Sequence, residues 1–414
     1  MTKKILILGA GYAGVEAALS LQKDKKKEDI EICLIDKNRY HTLLTELHVV
    51  AGNSISHDSV SIPLTDIFKN SEVKIINDEI TGMDFNSKKL ISKTSQYSYD
   101  YLIIATGSEP NFYGIPGMED HSFPLWSLEN AVRIREHIKS CFRKASMEND
   151  DDKIKALLTF VVGGGGFTGV EMIGEIAHWI KSLCKEYNIA RSSVKLVLVE
   201  ASPAILHTLS GKNINRATEY LIKRLNVEVM TNCSITKLNA DSVEFKDGKL
   251  LPTNTLIWSA GVRASCITDV INIIKCKACR IRVNEYTQTQ YPDVYSVGDV
   301  SAFESNGSIL PTLVEGALQT GDAAAKNILA DIRGDEKEKL QPKLHGVVVS
   351  IGSSFAVAEI MGFRFTPFIA VLLKYLVNLH YIYKICGFKK VIKYLIYEFV
   401  NKETKITPFQ IIKN

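Results

Sequence analysis

The sequence predicts an α/β protein in which one plan, a strand, a glycine turn and a helix, is used twice, ahead of a separate C-terminal helical region. Three observations carry that prediction. Lys4 to Gly14, KILILGAGYAG, and Phe160 to Glu171, FVVGGGGFTGVE, each run an apolar strand into close-set glycines and then into a helix start. Each is echoed downstream by an apolar strand that ends in glycine. YLIIATG reaches Gly107, 93 residues after Gly14, and TLIWSAG reaches Gly261, 92 residues after Gly169. The third observation is a change of character between Phe363 and Phe399, where Leu, Ile, Val, Phe and Tyr alternate with lysines.

The glycine spacings, Gly9-x-Gly11-x-x-Gly14 and Gly164-x-Gly166-x-x-Gly169, are those of a Rossmann-like dinucleotide-binding turn. Glycine lets the turn tighten, lets backbone approach a pyrophosphate and lets the helix sit close to its strand. The helix N-terminus then offers free N–H groups to phosphates. One such match is weak. Two matches with two echoes, Ala105-Thr106-Gly107 and Ser259-Ala260-Gly261, are specific.

Taken in order, residues 5–8 read as a buried parallel strand and Val15 to Leu21 as the helix after the turn. Ile30 to Ile35 is the next strand and ends at Asp36, an acid placed to accept hydrogen bonds from an adenosine ribose or to sit in an ordinary loop. Lys37 to Gly52 has little strand pattern and is expected over a cofactor. Short alternating runs between Val73 and Ile104 predict an antiparallel excursion. Ser127 to Met147 reads as a helix capped by Ser127 or Asn130, and the acidic Asn149 to Asp152 as a surface loop. After the second turn, Ile173 to Tyr187 continues as helix. Val194 to Val199 is a strand ending at Glu200, whose carboxylate would repel a 2′-phosphate and so favour NADH over NADPH. Val227 to Val229, Val243 to Phe245 and Leu256 to Trp258 are expected to complete a second small sheet. Asp293 to Val300 is read as a strand stopping at Gly298-Asp299, and Leu313 to Ile328 as a helix.

The 414 residues suffice for two or three domains. Boundaries are expected at 1–115 and 263–335 for one nucleotide-binding domain in two parts, 116–262 for the other, and 336–414 for the tail. The net charge of +4 is too small to argue for nucleic acid. The apolar run after Lys3-Lys4 is too short for a signal peptide, so the eight cysteines are expected as reduced thiols of a cytosol. Cys276-x-x-Cys279 reads as chance thiols, with metal or redox use the alternative, and no metal site is expected. In the tail, Arg364, Lys374, Lys384, Lys389, Lys390 and Lys393 face one acid, Glu398, and no uncharged stretch exceeds nine residues. A spanning helix needs ~20, so the tail is expected to lie on a membrane surface rather than cross it. The alternative is a helix pair that packs on the core or on a second copy of the chain.

Together with Val297-Gly298-Asp299, the turns, the echoes and strings such as YHTLLTELH (40–48), GGGGFTGVE (163–171) and IWSAGVR (257–263) resemble type II NADH dehydrogenase over essentially the whole chain. That resemblance implies a single-subunit flavoprotein that passes a hydride from NADH to FAD and electrons on to a quinone, without proton pumping, from the cytoplasmic face of the membrane. It implies that Gly9, Gly11, Gly14 and Asp36 hold the ADP part of FAD, and Asp299 the ribitol. Thr45 would lie near the isoalloxazine, Glu171 beside the nicotinamide–flavin stack, and Lys374 near the flavin. Glu171 has an alternative as an acid favoured by the helix dipole. One departure stands out. Where the family carries Ala-Gln-x-Ala-x-Gln at its quinone tunnel, this chain has Val314-Glu315-Gly316-Ala317-Leu318-Gln319. Glu315 and Gln319 are therefore the expected acceptor-site residues, and NADH oxidation is better supported than quinone reduction. NADH oxidase, a reductase of another small acceptor, and an FAD/NAD-binding redox sensor are the other readings. Disulfide reductases are disfavoured because no cysteine lies between Cys33 and Cys141.

Overall fold

The structure, a computed structural model, describes residues 2–25, 28–305, 307–388, 390–392 and 394. Lys389, Lys393 and Glu398 of the tail lie outside them. The chain folds into two compact units. The first comprises the described residues up to Thr42, Ile62–Asn111 and Val262–Leu344; the second comprises Leu43–Ser61, Phe112–Gly261 and the described residues from His345 onward.

In the first unit, Lys3–Leu8 is the centre of a five-stranded parallel sheet. Ile30–Asp36 and Lys74–Asn77 lie on one side of it, Tyr101–Ile104 and Val294–Ser296 on the other. Ile5, Leu6, Ile7, Leu34 and Ile35 are fully buried, the run of apolar residues that a strand covered on both faces requires. Helix Tyr12–Asp24 packs closely on helix Val314–Arg333. At Gly321 a Cβ would come within 2.4 Å of the Ala13 carbonyl oxygen, so this close approach depends on glycine. The expected antiparallel excursion is Ile80–Asp84, Lys89–Ser92 and Gln96–Ser98. The strand read at Asp293 to Val300 is shorter than expected. It ends at Ser296 and turns through a 3₁₀ segment, Gly298–Val300, because Gly298 takes a left-handed φ of 68°.

The second unit repeats the plan with Phe123–Pro124, Thr255–Trp258, Thr159–Gly163, Lys195–Val199 and Glu228–Met230 in that order, all parallel. Helix Phe167–Glu186 follows the turn. The strands expected to form one further small sheet divide. Glu228–Met230 and Thr255–Trp258 join the parallel sheet, whereas Ser242–Phe245 pairs antiparallel with Ile235–Leu238 and Leu250–Pro252. Alternation alone cannot assign a short strand to a sheet; its partners do. The acidic loop expected at Asn149 to Asp152 is in part a helix start. Asp150 Oδ1 accepts from the N–H groups of Asp152 and Lys153 at 3.0 and 3.2 Å and caps helix Asp151–Leu158. Ser127 caps Leu128–Ala145 as expected, its hydroxyl accepting from Asn130 N–H at 3.1 Å.

Also in the second unit, strands Gly346–Ser350, Ala356–Ile360 and Phe363–Arg364 form an antiparallel sheet that carries helix Pro367–Cys386. Ala370 packs on Ala356 and Ala358. By length and composition this helix is apolar enough to cross a membrane, which the count of uncharged residues did not anticipate. Its two internal lysines interrupt the sequence, but Lys374 is turned inward and only Lys384 breaks the outer surface.

Candidate active site

The two glycine turns are alike to the level of single atoms. Gly9 and Gly164 take φ of 107° and 109°. A Cβ on Gly9 would fall 2.3 Å from the Ala105 carbonyl oxygen, and one on Gly164 2.8 Å from the Ala260 Cα. Each turn is therefore pressed onto its own downstream echo. A Cβ on Gly14 would meet the Gly9 oxygen at 1.8 Å and one on Gly169 the Gly164 oxygen at 1.9 Å, so both helices need glycine at their third position. Gly11 and Gly166 differ from these. Each is the N-cap of its helix, with φ −72° and ψ near −170°, and a Cβ there would meet nothing within 4 Å. Space for an approaching phosphate is thus left at the middle glycine of both turns.

The acids at the ends of the second strands are held identically. Asp36 accepts the Ala10 N–H at 2.6 Å on Oδ2 and the Asn38 N–H at 2.7 Å on Oδ1. Glu200 accepts the Gly165 N–H at 2.6 Å on Oε2 and the Ser202 N–H at 2.7 Å on Oε1. A carboxylate offers about four acceptor positions, so each retains capacity for a ribose hydroxyl. Burial raises the Asp36 carboxyl above its ordinary value against the pull of these donors.

In the first unit, the residues also suit the remainder of an FAD. Thr106 Oγ1 is buried without a hydrogen-bond partner beside Gly107, which takes a left-handed φ of 69°. Asp299 accepts from Ser108 Oγ at 2.8 Å, and burial raises its carboxyl while Arg280 opposes the rise. The Gly298 N–H is held by Thr320 Oγ1 at 2.9 Å. Glu315 sits in the first turn of helix Val314–Arg333. Gln319 lies one turn on, and its amide donates to the Lys343 carbonyl at 2.8 Å and accepts the Lys343 N–H at 2.9 Å.

Within the second unit, Glu171 and Lys374 meet in a buried cluster. Glu171 and Glu175 lie one turn apart on helix Phe167–Glu186. At Gly174 between them, a Cβ would strike the Gly352 N at 2.7 Å, so the end of strand Gly346–Ser350 comes close. Lys374 Nζ donates to Ser350 Oγ at 2.6 Å, to His48 Nε2 at 3.0 Å and to Glu171 Oε1 at 3.1 Å, and Glu46 Oε1 is 3.9 Å away. Ser350 returns both its N–H and its hydroxyl to Glu171 Oε1, at 3.1 and 3.0 Å. Asn378 donates to Glu46 at 2.7 Å and Ser54 to Glu175 at 2.6 Å. Glu46, Ser54, Glu175, Ser350, Lys374 and Asn378 line one cavity.

The electrostatics of this cluster follow from burial. Burial drives the His48 imidazole down to about 3, so the ring is neutral near pH 7. With Lys374 donating to Nε2, its proton is on Nδ1 and faces Glu171 Oε2 at 3.8 Å. Burial would raise Glu171, but its partners, His48 first and then Lys374 and the Ser350 N–H, outweigh it and hold the carboxyl below the ordinary value. Burial likewise opposes a charge on Lys374, yet Glu171 and Glu46 hold its ammonium above the usual lysine range. Glu46 and Glu175 are both raised, by burial first.

Sequence reasoning named Glu171 and Lys374 but passed over Glu46, His48, Ser54, Glu175, Ser350 and Asn378. Glu46 and His48 stood in the quoted string YHTLLTELH; Ser350 and Asn378 belong to no pattern. Thr45 is exposed on the 3₁₀ turn Leu44–Glu46. None of the eight cysteines forms a disulfide, Cys276 and Cys279 included.

Residues 3–325 match the family model of the pyridine nucleotide-disulphide oxidoreductases. The type II NADH:quinone oxidoreductase of Staphylococcus haemolyticus is 33% identical over 391 residues, which is 93% of this chain and 96% of that one. Its counterpart in Staphylococcus aureus is 33% identical over 392 residues, with the same coverage. This chain belongs to the type II NADH:quinone oxidoreductases. It is accordingly a flavin-dependent NADH dehydrogenase whose cofactors are FAD and NADH. Solved structures agree on the fold. The NDH2 of Plasmodium falciparum, solved with NADH, superposes with a TM-score of 0.85 at 18% identity, covering 97% of this chain and 98% of that one. The sulfide:quinone oxidoreductase of Aquifex aeolicus gives 0.76 at 19% identity, covering 93% and 92%.

Proposed function

We propose that the first unit of this type II NADH:quinone oxidoreductase holds FAD and the second NADH, and that the enzyme works as a peripheral membrane protein on the cytoplasmic face. The domain limits expected from sequence, 1–115 with 263–335 for FAD, 116–262 for NADH and 336–414 for membrane attachment, belong to the same proposal, although Leu43–Ser61 and residues 112–115 fold with the second unit and residues 336–344 with the first. The observation that carries the reading is the duplicated clamp, Asp36 on Ala10 and Glu200 on Gly165, each set above a turn whose middle glycine is open. An ADP moiety in each site has its pyrophosphate at Gly11 or Gly166 and its ribose at Asp36 or Glu200.

FAD when bound supplies the two-electron chemistry that links a nicotinamide to a quinone; this chain's residues bind, orient and set charge. Gly9, Gly14, Ala105, Thr106, Gly107 and Gly298 shape the FAD site, Asp36 takes the adenosine ribose and Asp299 the ribitol hydroxyls. Gly164, Gly169, Gly261 and Glu200 shape the NADH site. Glu171 and Lys374 form the charge pair at the nicotinamide end, with Ser350 and His48 fixing both side chains. Lys374 keeps its positive charge at neutral pH and so favours negative charge arising nearby. Thr45, on the turn Leu44–Glu46, is assigned to the isoalloxazine end. Glu315 takes the place of the family's first glutamine at the acceptor site, and Gln319, steadied by the Lys343 backbone, is its second residue.

For the membrane, one side of helix Pro367–Cys386 rests on the antiparallel sheet. Phe368, Leu372 and Leu376 are exposed at 80%, 50% and 50%, spaced four apart on the opposite stripe. A helix anchored along one side in this way lies in an interface rather than spanning it. We assign the stripe to lipid rather than to a second copy because Lys384 and Lys390 accompany it.

The test compares NADH oxidation by the purified protein across menaquinone analogues, ubiquinone analogues and oxygen alone. Sustained turnover with a quinone, well above the rate in oxygen, is expected. A single round of flavin reduction without turnover would identify a redox sensor instead.

A further inference from the structure

We propose that Gly165 is a positioning residue for nucleotide choice: by lacking a side chain it lets Glu200 fold back onto the second glycine turn. This rests on the reading of Glu200 as the ribose acceptor. The two units solve the same geometric problem with different residues. In the first, Ala10 and Asp36 make the N–H to carboxylate bond at 2.6 Å; in the second, Gly165 and Glu200 make it at 2.6 Å. Passing from the first pair to the second adds a methylene to the acid and removes a methyl from the turn. The side-chain carbon inventory of the pair is unchanged.

Space, not backbone conformation, is what Gly165 provides. Its φ lies outside the left-handed region that favours glycine, unlike that of Gly164. A Cβ there would lie 2.9 Å from Glu200 Cβ, 3.1 Å from Glu200 Cγ and 2.8 Å from Ile205 Cγ2. The turn cannot swing away to relieve this, because the Gly165 carbonyl accepts the Leu206 N–H at 2.8 Å and Ile205 is buried. The extra methylene of Glu200 therefore occupies the room the missing methyl leaves, and the carboxylate is aimed by Gly165 N–H and Ser202 N–H together. An alanine at 165 displaces that carboxylate, and with it the acceptor for a 2′-hydroxyl and the repulsion against a 2′-phosphate.

The experiment measures kcat/KM for NADH and for NADPH in the FAD-loaded wild type, Glu200→Gln, Gly165→Ala, Glu200→Asp and the double variant Gly165→Ala/Glu200→Asp. Losing a hydrogen bond to a charged group should cost about tenfold to a hundredfold in NADH kcat/KM. Gly165→Ala is expected to show that loss mainly in KM, with the NADH-to-NADPH ratio narrowed. The double variant, which installs the pair found in the first unit, should recover part of the ratio. The Ile205 contact is common to both alanine variants and drops out of the comparison. If Glu200→Gln shifts the ratio while Gly165→Ala leaves it unchanged, the inference is overturned and the ribose reading stands. If Glu200→Gln leaves the ratio unchanged, the ribose reading itself fails. Should Gly165→Ala not fold, Glu200→Asp alone decides. A carboxylate one methylene short of the glycine turn should narrow the ratio, and an unchanged ratio overturns the proposal.

Discussion

Lys374 sits among the carboxyl groups of Glu46, Glu171 and Glu175, and its removal should be felt throughout the second unit. Replacing it with methionine keeps most of the volume but leaves Glu171 buried without its cation. Breaking a buried pair from one side costs about 3–5 kcal/mol, so Lys374→Met should lower Tm markedly, and adding Glu171→Gln should recover much of the loss. Equal Tm for the single and double variants would show that the pair is not coupled. Glu175 gives the opposite sign. Its folded carboxyl is raised above the ordinary 4.5 by burial. The native state therefore holds a proton that the unfolded chain releases, and stability falls as pH rises from 4.5 through the raised value. Glu175→Gln keeps an acceptor for Ser54 and lacks this penalty. Its Tm should match wild type near pH 4 and exceed it increasingly toward pH 8; a constant difference across that range would contradict the assignment. Residues of this cluster were only half legible in the chain, since Glu171 and Lys374 stood in recognisable surroundings while Ser350 and Asn378 gain meaning only by proximity.

At the scale of elements, helix Pro367–Cys386 differs on its opposite sides. Its inner side places Lys374 and Asn378, four residues apart, into the cluster, and Ala370 against the antiparallel sheet. Truncation at Phe363 would therefore remove part of the charge cluster together with any membrane contact. Replacing Phe368, Leu372 and Leu376 by serine tests the outer stripe alone. Each buried apolar side chain of this size contributes about 1.5–3 kcal/mol, so the triple variant should lose binding to anionic vesicles while keeping the wild-type Tm. Undiminished vesicle binding would assign the stripe to another partner. Helix Val314–Arg333 carries Glu315, the proposed acceptor-site residue. A glutamine amide always has an N–H to donate to a quinone carbonyl, whereas a carboxylate has none. Glu315→Gln is expected to raise quinone turnover at saturating NADH and leave flavin reduction by NADH unchanged in stopped flow. No change in quinone turnover would remove Glu315 from the acceptor site.

For the whole molecule, the expectation is a yellow protein whose flavin is released by acid and identified as FAD. Asp299→Ala, which removes the carboxylate held by Ser108, should weaken its retention without abolishing the fold. A colourless wild-type protein that cannot be reconstituted with FAD would contradict the assignment of the first unit. Family membership rests on 33% identity over 93% of the chain, and the fold match extends to proteins under 20% identical.

By itself the sequence determined the doubled plan, because glycine spacing, apolar strands and terminal acids are local requirements of a dinucleotide turn. Gly14 and Asp36, with Gly169 and Glu200, are legible for that reason, since each answers to steric or hydrogen-bonding demands within a few tens of residues; Gly9 and Gly164 are legible from the same spacing, although the atoms that exclude a side chain there belong to the downstream echoes. The tertiary structure alone decided three things. It assigned Glu228–Met230 and Ser242–Phe245 to different sheets, because a short strand is defined by its partners. It turned Lys374 inward, because a lysine in an apolar helix can bury its charge only where carboxylates from distant segments wait for it. And it brought Glu46, His48, Glu171, Ser350 and Lys374 together from four separate stretches of chain, an arrangement that no local periodicity encodes.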